Sequence, residues 1–302
     1  MRVELEPGTY VVAVSGGVDS VALLHILAQH SGVKNIDGIK PRLVVAHFDH
    51  GIRDDSAEDR RLVQGLARQY GLPFVYHEGQ LGPNTSEEVA RRARYDFLRQ
   101  VQDAVKARAI ITAHHQDDVL ETAIINMLRG TGRKGLTSLK SHRHLIRPLL
   151  SVPKENIRAY ARDQGLLWRE DSTNEDTTLL RNYIRKVIVP RLGEEGRLAL
   201  LSHIGHLSVV NRAIDKDLMI YLHTQSSRQV LDRHHFALLP HAVALEVLAE
   251  WFRSHGITTF NAKLLERLVI KCKTLPPGKR IDVDARHTLL VGNETIALVA
   301  TN

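Results

Sequence analysis

The amino-acid sequence predicts an α/β fold with a doubly wound, mostly parallel sheet, followed by a smaller, mainly α-helical domain that ends in short strands. Short continuous apolar runs recur early in the chain, at residues 10–14, 43–48, 74–76 and 109–113. Such runs are typical of strands that are buried on both faces of a parallel sheet. Helical patterns lie between them, and this alternation favours an α/β domain whose ligands bind at the carboxyl ends of the strands.

Capping residues mark the helices between these runs. Ser56 can cap one helix, with Asp59 three residues later as in a capping box, and Gly71 stands where a residue just past the helix end would lie. Ser86 can cap the next helix, and a further helix opens near Pro153. We therefore expect helices to connect the strands of the sheet.

The pattern changes in the second half of the chain, where we place a domain boundary near residue 193. Residues 1–192 form the predicted catalytic domain, and residues 193–302 form a second domain that begins with a mainly helical pattern. After the Pro-Pro-Gly sequence at 276–278, short strands are predicted at 280–283, 289–291 and 295–299. Gly292 and Asn293 form the predicted hairpin turn between the last two.

The composition indicates an ordinary soluble protein with an anionic partner. The chain has 302 residues, of which 43% are hydrophobic and 25% are charged, and its formal net charge is +7. A single cysteine, Cys272, excludes an intramolecular disulfide and any chemistry that needs two thiols. No apolar run approaches the roughly 20 residues that span a bilayer, and the N-terminus lacks the apolar segment of a signal peptide. We therefore expect a cytoplasmic protein with no membrane partner.

A candidate phosphate-binding loop follows the first predicted strand. It consists of Ser15, Gly16, Gly17, Val18, Asp19 and Ser20. The two glycines allow a tight turn and a close backbone approach, and amide groups at the start of the next helix can donate to phosphate oxygens, as can the two serine hydroxyls. A carboxylate at Asp19 would repel phosphate, so it indicates Mg²⁺ or a cationic substrate. An ordinary glycine turn would explain the two glycines but not the whole string, which matches neither the Walker loop nor the dinucleotide fingerprint.

The loop resembles the PP-loop of the N-type ATP pyrophosphatases, in which it binds the pyrophosphate part of ATP. Over roughly residues 10–191, further strings are similar to those of one family in this class, the tRNA(Ile)-lysidine synthases. These strings are HFDHGIR at 47–53, ARRARY at 90–95, AHHQDDVLET at 113–122, RGTG at 129–132, RPLL at 147–150, DSTN at 171–174 and RNYIR at 181–185. Longer members of the family carry a further C-terminal domain, so the resemblance implies a short form.

The resemblance implies a reaction and a set of site residues. ATP with Mg²⁺ would activate C2 of the wobble cytidine in an isoleucine tRNA, pyrophosphate would leave, and free L-lysine would displace AMP to form lysidine. Asp118 and Glu121 would bind lysine; they are three residues apart on a predicted helix and share a face, which suits an ammonium group or Mg²⁺. His114 would contact an ATP phosphate or the adenylate, and Arg94 would neutralise charge at the α-phosphate. Asp19 would join the lysine site or hold Mg²⁺.

A basic run without acidic residues follows the helix that carries these carboxylates. Its basic residues are Arg129, Arg133, Lys134, Lys140, Arg143 and Arg147. A solvated basic loop and a contact with a polyanion are both compatible with such a run. The resemblance implies that this run, through Arg129, Arg133, Lys134, Lys140 and Arg147, and the C-terminal domain contact tRNA. It leaves open whether two copies of the chain form a homodimer.

Other functions compete with this interpretation. A tRNA thiolase would need cysteine pairs or an iron–sulfur cluster, and a glutamine-dependent synthetase would need a glutaminase domain. NAD synthetase and argininosuccinate synthetase share the loop but do not explain the basic run. A non-catalytic nucleotide-binding or RNA-binding module would explain the loop and the charge, but not two carboxylates beside a phosphate site. Two adjacent histidines without further ligands at metal spacing do not indicate a zinc site.

Overall fold

The structure, a computed structural model, describes residues 3–29, 33–34, 41–51, 56–82, 85–170, 179–227 and 229–301. The chain separates into two compact units. The first holds Met1–Asn126 and Ser138–Leu201, and the second holds Met127–Thr137 and Ser202–Asn302. The second unit therefore includes a short segment from the middle of the chain. The boundary near residue 193 stays a prediction.

The elements follow in chain order. The strands are β1 (Val3–Glu4), β2 (Thr9–Ala13), β3 (Val33–Lys34), β4 (Arg42–Asp49), β5 (Phe74–Glu78), β6 (Ala109–Ile111), β7 (Leu145–Ile146), β8 (Ser226–Ser227), β9 (Val230–Asp232), β10 (Lys279–Asp282), β11 (His287–Val291) and β12 (Thr295–Ala300). The helices are α1 (Val18–Ala28), α2 (Ser56–Gln69), α3 (Glu87–Ala104), α4 (Gln116–Leu128), α5 (Arg133–Leu136), α6 (Lys154–Asp163), α7 (Leu180–Tyr183), α8 (Val189–Arg191), α9 (Gly193–Gln225), α10 (Arg233–Leu238), α11 (His241–Ser254) and α12 (Ala262–Thr274). A π-helical turn, Ile184–Ile188, connects α7 to α8.

A parallel sheet forms the centre of the first unit. In the described part of the chain it has the order β5-β4-β2-β6-β7, and each neighbouring pair is parallel. Tyr10 and Val12 of β2 pack against residues of α1, α2 and α6, whereas Val11 packs with residues of α3 on the other face. Both faces of the strand are therefore buried, which explains its unbroken apolar run. The predicted α/β fold class is confirmed.

The predicted cap at Ser86 and the predicted helix end at Gly71 agree with the structure, whereas Ser56 is the first residue of α2 and not the cap before it. The Ser86 hydroxyl accepts a hydrogen bond from the Val89 amide at the start of α3. Gly71 has a φ of +65° just after α2, a conformation that a residue without a side chain adopts at little cost. The amide of the next residue, Leu72, returns to the Ala67 carbonyl at 2.9 Å and closes the helix end.

The second unit combines helices with an antiparallel sheet. The sheet has the order β10-β11-β12-β9-β8 among the described residues. Three of its strands confirm the predicted ones, and Gly292 donates to the Thr295 carbonyl in the hairpin turn. The other two, β8 and β9, were missed because they are only two and three residues long and interrupt a helical pattern. Trp251 and Phe252 of α11 lie at the centre of the core.

None of the helices in the described ranges has the length and apolar character needed to cross a bilayer.

An ion-pair network anchors the segment 127–137 within the second unit. The Arg133 guanidinium donates to Asp215 at 2.8 Å and to Glu246 at 2.9 Å, and it also donates to the Asn211 side-chain carbonyl at 3.0 Å. The neighbouring Lys134 donates to Glu250 at 2.6 Å. Because the Arg133 side chain is only 14% exposed, these bonds are partly shielded from solvent.

Replacing Arg133 by methionine should lower the free energy of unfolding of the second unit by about 1–3 kcal/mol at pH 7, because several charge-assisted hydrogen bonds are lost. Burial raises the pKa of Asp215, but hydrogen bonds from Arg133 and Lys134 outweigh it and lower that pKa. A carboxyl whose folded pKa is below its unfolded value stabilises the fold above the unfolded pKa of about 4. This contribution is lost as the pH falls through the folded pKa, so the difference between wild type and variant should shrink below about pH 4.

Denaturant unfolding at several pH values measures this difference. The chain has two tryptophans, so a Trp168→Phe background leaves Trp251 as the fluorescence reporter of the second core. Arg253→Met, which removes a pair with Glu250 at 3.0 Å, is the matched control and should cost less. Equal losses for the two variants, or a difference that is unchanged at acid pH, would contradict the prediction.

Candidate active site

A cavity of about 420 Å³ lies at the carboxyl ends of the central strands. It is lined by the segments that follow β2, β4 and β6, and by residues of α3, α4 and α6. The three strands are neighbours in a parallel sheet, so the segments that leave them converge at one edge. Of the predicted site residues, Ser15, Gly17, Val18, Asp19, Ser20, Arg94, His114 and Asp118 line this cavity.

The candidate phosphate loop has the geometry of an amide cradle. Gly16 has a φ of +97°, which favours glycine, and Gly17 precedes α1 without a side-chain cap. The amide groups at the start of α1 are therefore oriented for an anion. The Ser20 hydroxyl, which we expected to donate to phosphate, instead donates to the Gly17 carbonyl at 2.9 Å and accepts from the Ser15 amide at 3.2 Å. It stabilises the shape of the loop.

Asp19 lies between Lys154 and His115. Its Oδ2 is 3.3 Å from the Lys154 ammonium and 3.6 Å from Nε2 of His115, whereas its Oδ1 is buried and has no hydrogen-bond partner among the residues that the structure describes. Burial raises the pKa of Asp19, but the hydrogen bond with His115 and the charge of Lys154 outweigh it, so the pKa is lowered. The carboxylate is therefore ionised at neutral pH and has one oxygen free for a cation.

The pKa values of the two adjacent histidines shift in opposite directions. Burial and the nearby cations Arg147 and Arg94 lower the pKa of His114 to about 3 against the opposing effect of Asp118, so its imidazole is neutral. Its Nδ1 is 2.9 Å from the Thr112 hydroxyl. Burial also lowers the pKa of His115, but Asp19 and Asp118 raise it more, which favours the cationic form.

The two carboxylates predicted to bind lysine occupy different environments. The Asp118 carboxylate accepts a hydrogen bond from the His115 backbone amide at 2.9 Å, and its side chain lines the cavity. Glu121 is 1% exposed and forms a bidentate pair with the Arg185 guanidinium, at 2.6 and 2.9 Å. Burial raises the pKa of Glu121 although the Arg185 charge opposes this. Arg181 lies 3.5 Å from the same carboxylate.

Arg94 on α3 points to the same cavity. Its guanidinium lies 5.4 Å from the ring centre of Tyr95 and lines the cavity wall. Burial lowers its pKa, but an arginine guanidinium remains protonated at neutral pH. Arg94 therefore supplies a positive charge to the wall of the cavity.

The basic run does not form one exposed surface. Arg129, Lys140 and Arg143 are exposed, whereas Arg147 is buried and donates to the Lys140 carbonyl. Arg133 and Lys134 are held by carboxylates of the second unit. The exposed members are therefore the better candidates for a contact with a polyanion.

Several residues of the site were not selected from the sequence. Lys154 and Arg169 line the cavity, and Arg185 pairs with Glu121. His47 donates from Nδ1 to the Val14 carbonyl at 2.8 Å. Arg185 lies within the quoted string RNYIR and could have been chosen from it, but nothing local distinguishes Lys154. Asp171 and Asn174 of the string DSTN lie outside the described residues.

Comparisons with known proteins support the fold. A solved structure, the U34-tRNA thiolase NcsA from Methanococcus maripaludis with its 4Fe–4S cluster, covers 67% of this chain and 73% of its own at a TM-score of 0.55. Its sequence identity is 18%, so the likeness supports the fold alone.

Curated relatives carry the name tRNA(Ile)-lysidine synthase, which confirms the resemblance. The protein of Thermotoga sp. (strain RQ2) is 40% identical over 63% of this chain and 47% of its own. The protein of Thermus thermophilus is 42% identical over 61% of this chain and 36% of its own length. The protein of Lactiplantibacillus plantarum is 32% identical over 93% of this chain and 64% of its own length. The chain thus spans about half the length of the relatives it matches. Residues 3–192 match the family model described as the PP-loop domain, and the chain therefore belongs to the PP-loop family.

Proposed function

We propose that this chain is an ATP-dependent ligase that joins free L-lysine to C2 of the wobble cytidine of an isoleucine tRNA. One observation carries the proposal: His115 lies 3.6 Å from Asp19 of the phosphate loop and 3.6 Å from Asp118 of α4. A site for ATP phosphates and a carboxylate for a cationic substrate therefore share one cavity. The names of the curated relatives support the same reaction.

The first step is adenylation. The O2 oxygen of the cytidine attacks the α-phosphorus of ATP, the bond between the α-phosphorus and its bridging oxygen breaks, and pyrophosphate leaves. The amide groups of the loop and the Lys154 ammonium neutralise charge on the pyrophosphate side. Arg94 stabilises the charge that grows at the α-phosphate. Neutral His114 donates or accepts a hydrogen bond there and adds no charge.

Mg²⁺ fits the residues beside the loop. Within the described part of the chain, Asp19 Oδ1 is buried and accepts no hydrogen bond. Carboxylate oxygens together with substrate phosphates are the ligands that Mg²⁺ prefers. Asp19 would hold the ion, which would neutralise negative charge on the phosphate oxygens. We find no group of three or more His, Cys, Asp or Glu residues suited to a metal in the described ranges, so most other ligands would come from ATP and water.

The second step is attack by lysine. The ammonium group first gives a proton to water, and the neutral amine nitrogen then attacks C2. The bond from C2 to the adenylate oxygen breaks, AMP leaves, and the new C–N nitrogen gives a second proton to water. Asp118 lines the cavity and binds the ammonium group directly. Glu121 is already paired with Arg185, so it contacts lysine only if Arg185 shares or releases the carboxylate. Asp118 is therefore the principal lysine ligand and Glu121 supports it.

An isoleucine tRNA is the proposed polyanionic partner. The net charge of +7 favours association with it, and exposed Arg129, Lys140 and Arg143 supply phosphate contacts. Arg133 and Lys134 are paired with carboxylates, and Arg147 donates to a backbone carbonyl, so we assign these three residues a structural role. The C-terminal domain is also proposed to contact tRNA.

An iron–sulfur thiolase reaction is less consistent with these residues. The single cysteine, Cys272, is fully buried in the second unit, and burial raises its pKa to about 12. This thiol is therefore protonated at neutral pH and inaccessible, and the chain offers no second thiol beside the cavity.

Incorporation of labelled lysine into a tRNA transcript tests the whole proposal. We expect pyrophosphate release that depends on isoleucine tRNA, and labelled tRNA that also requires lysine. Methionine tRNA is the matched control substrate. Pyrophosphate release that is independent of tRNA, or no incorporation with active ATP cleavage, would refute the lysidine reaction.

Asp118→Asn should raise the KM for lysine by at least about tenfold, because a partly buried charged partner of the ammonium group is lost. The Kd for ATP should rise by a smaller factor than the lysine KM, because Asp118 reaches the phosphate loop only through His115. Steady-state kinetics and calorimetry measure the two constants. Glu121→Ala is a less specific test, because it would leave the partly buried Arg185 guanidinium without its principal partner. An unchanged lysine KM in Asp118→Asn would show that Asp118 does not bind lysine.

Replacing Lys140 and Arg143 together by glutamine should weaken tRNA binding and reduce the slope of log Kd against log salt by about 1–2, since up to two phosphate contacts disappear. Filter binding over a range of salt concentrations measures the slope. The matched control replaces two exposed arginines of α2, Arg61 and Arg68, by glutamine. If both double variants behave alike, this part of the basic run is only a solvated surface.

A further inference from the structure

Arg169 contacts the phosphate loop through its backbone. Its amide donates to the Gly16 carbonyl at 3.0 Å. Gly16 is the residue of the loop with a φ of +97°. The bond directs the Gly16 carbonyl toward Arg169, and a carbonyl that instead faced the phosphates would repel them.

The side chain of Arg169 contacts α2 at Asp59, the residue that also lies next to Gly16. Its Nε lies 2.7 Å from Oδ1 of Asp59, and its guanidinium also pairs with the Glu58 carboxylate. Asp59 is 7% exposed, so this pair is partly shielded from solvent. A methyl group added to Gly16 would lie 3.4 Å from Cβ and 3.7 Å from Cα of Asp59. Gly16 is thus packed against Asp59 on α2 and bonded to the residue that pairs with Asp59.

We propose that Arg169 is a positioning residue that fixes the phosphate loop before ATP binds. The Arg169–Asp59 pair joins the segment around residue 169 to α2, with Gly16 in contact with both. A loop held in this way presents its amide groups to pyrophosphate without reorganisation, which strengthens binding. The inference rests on the proposed function only in that the loop binds the pyrophosphate part of ATP.

A direct contact between Arg169 and phosphate is the competing explanation, because the side chain also lines the cavity. The two explanations differ in what they require of Asp59. Positioning needs the carboxylate, whereas a direct contact does not. A double-mutant cycle between the two residues therefore separates them.

Calorimetric titration of the full chain with inorganic pyrophosphate and with a non-hydrolysable ATP analogue provides the test. Arg169→Gln and Asp59→Asn should each weaken both ligands by about tenfold, the loss expected for a supporting residue. The double variant should bind like the single ones. Arg169→Lys, which keeps the charge toward Asp59, should recover part of the affinity. The lysine KM, measured at saturating ATP, should be unchanged in all of them.

Arg158→Gln is the matched control. Arg158 pairs with Glu170, the neighbour of Arg169, at 3.2 Å, and it does not line the cavity. The Arg158→Gln variant should bind pyrophosphate and the ATP analogue with the same affinity as the wild-type chain. The proposal is overturned if Arg169→Gln binds both ligands with wild-type affinity. It is also overturned if Asp59→Asn has no effect on affinity, or if its effect adds to that of Arg169→Gln in the double variant. Either of these last two results would indicate a direct contact between Arg169 and phosphate.

Loss of ATP and lysine affinity together, with a lower Tm, would also overturn the proposal, because it would mark Arg169 as a general structural residue. A wild-type chain that binds neither pyrophosphate nor the ATP analogue would instead refute the proposed function itself. The two failures are therefore distinguishable in the same titrations.

Discussion

The imidazole of His115 holds the two halves of the site together through its contacts with Asp19 and Asp118. Both carboxylates lie 3.6 Å from Nε2, and the side chain is 2% exposed. In such a shielded environment, unlike charges attract more strongly than they do in water, and two unbalanced carboxylates would repel each other equally strongly. A positive charge on His115, which the two carboxylates favour by raising its pKa, reduces this repulsion between the phosphate loop and the start of α4. Lys154 adds a second positive charge on the loop side.

The parallel sheet supplies the edge on which this arrangement forms. The strands β4, β2 and β6 are adjacent, and the residues after each one line the same cavity. The charged side chains also come from helices, with Arg94 on α3 and Lys154 on α6. The site therefore depends on the packing of both helical layers against the sheet, and not on the loop alone.

The buried pair of Glu121 and Arg185 gives the site its asymmetry. Removing two charges from water costs free energy, which close bidentate geometry offsets. Arg185 lies in a π-helical turn, a feature that often occurs at functional sites. Asp118, only three residues before Glu121, remains open to the cavity. Two carboxylates that look equivalent by helical spacing thus have different surroundings.

The sequence by itself determined the α/β class, the phosphate loop and most helix ends, because apolar periodicity, capping residues and glycine turns act between residues close along the chain. Only the tertiary structure decided which charges meet. Lys154 and Asp19 are 135 residues apart, and Arg185 and Glu121 are 64 apart. The basic run shows the same limit, since Arg133 is neutralised by Asp215, 82 residues away. A charge in a sequence has no partner until folding brings a distant residue beside it, and that partner decides whether the charge is free to bind a ligand.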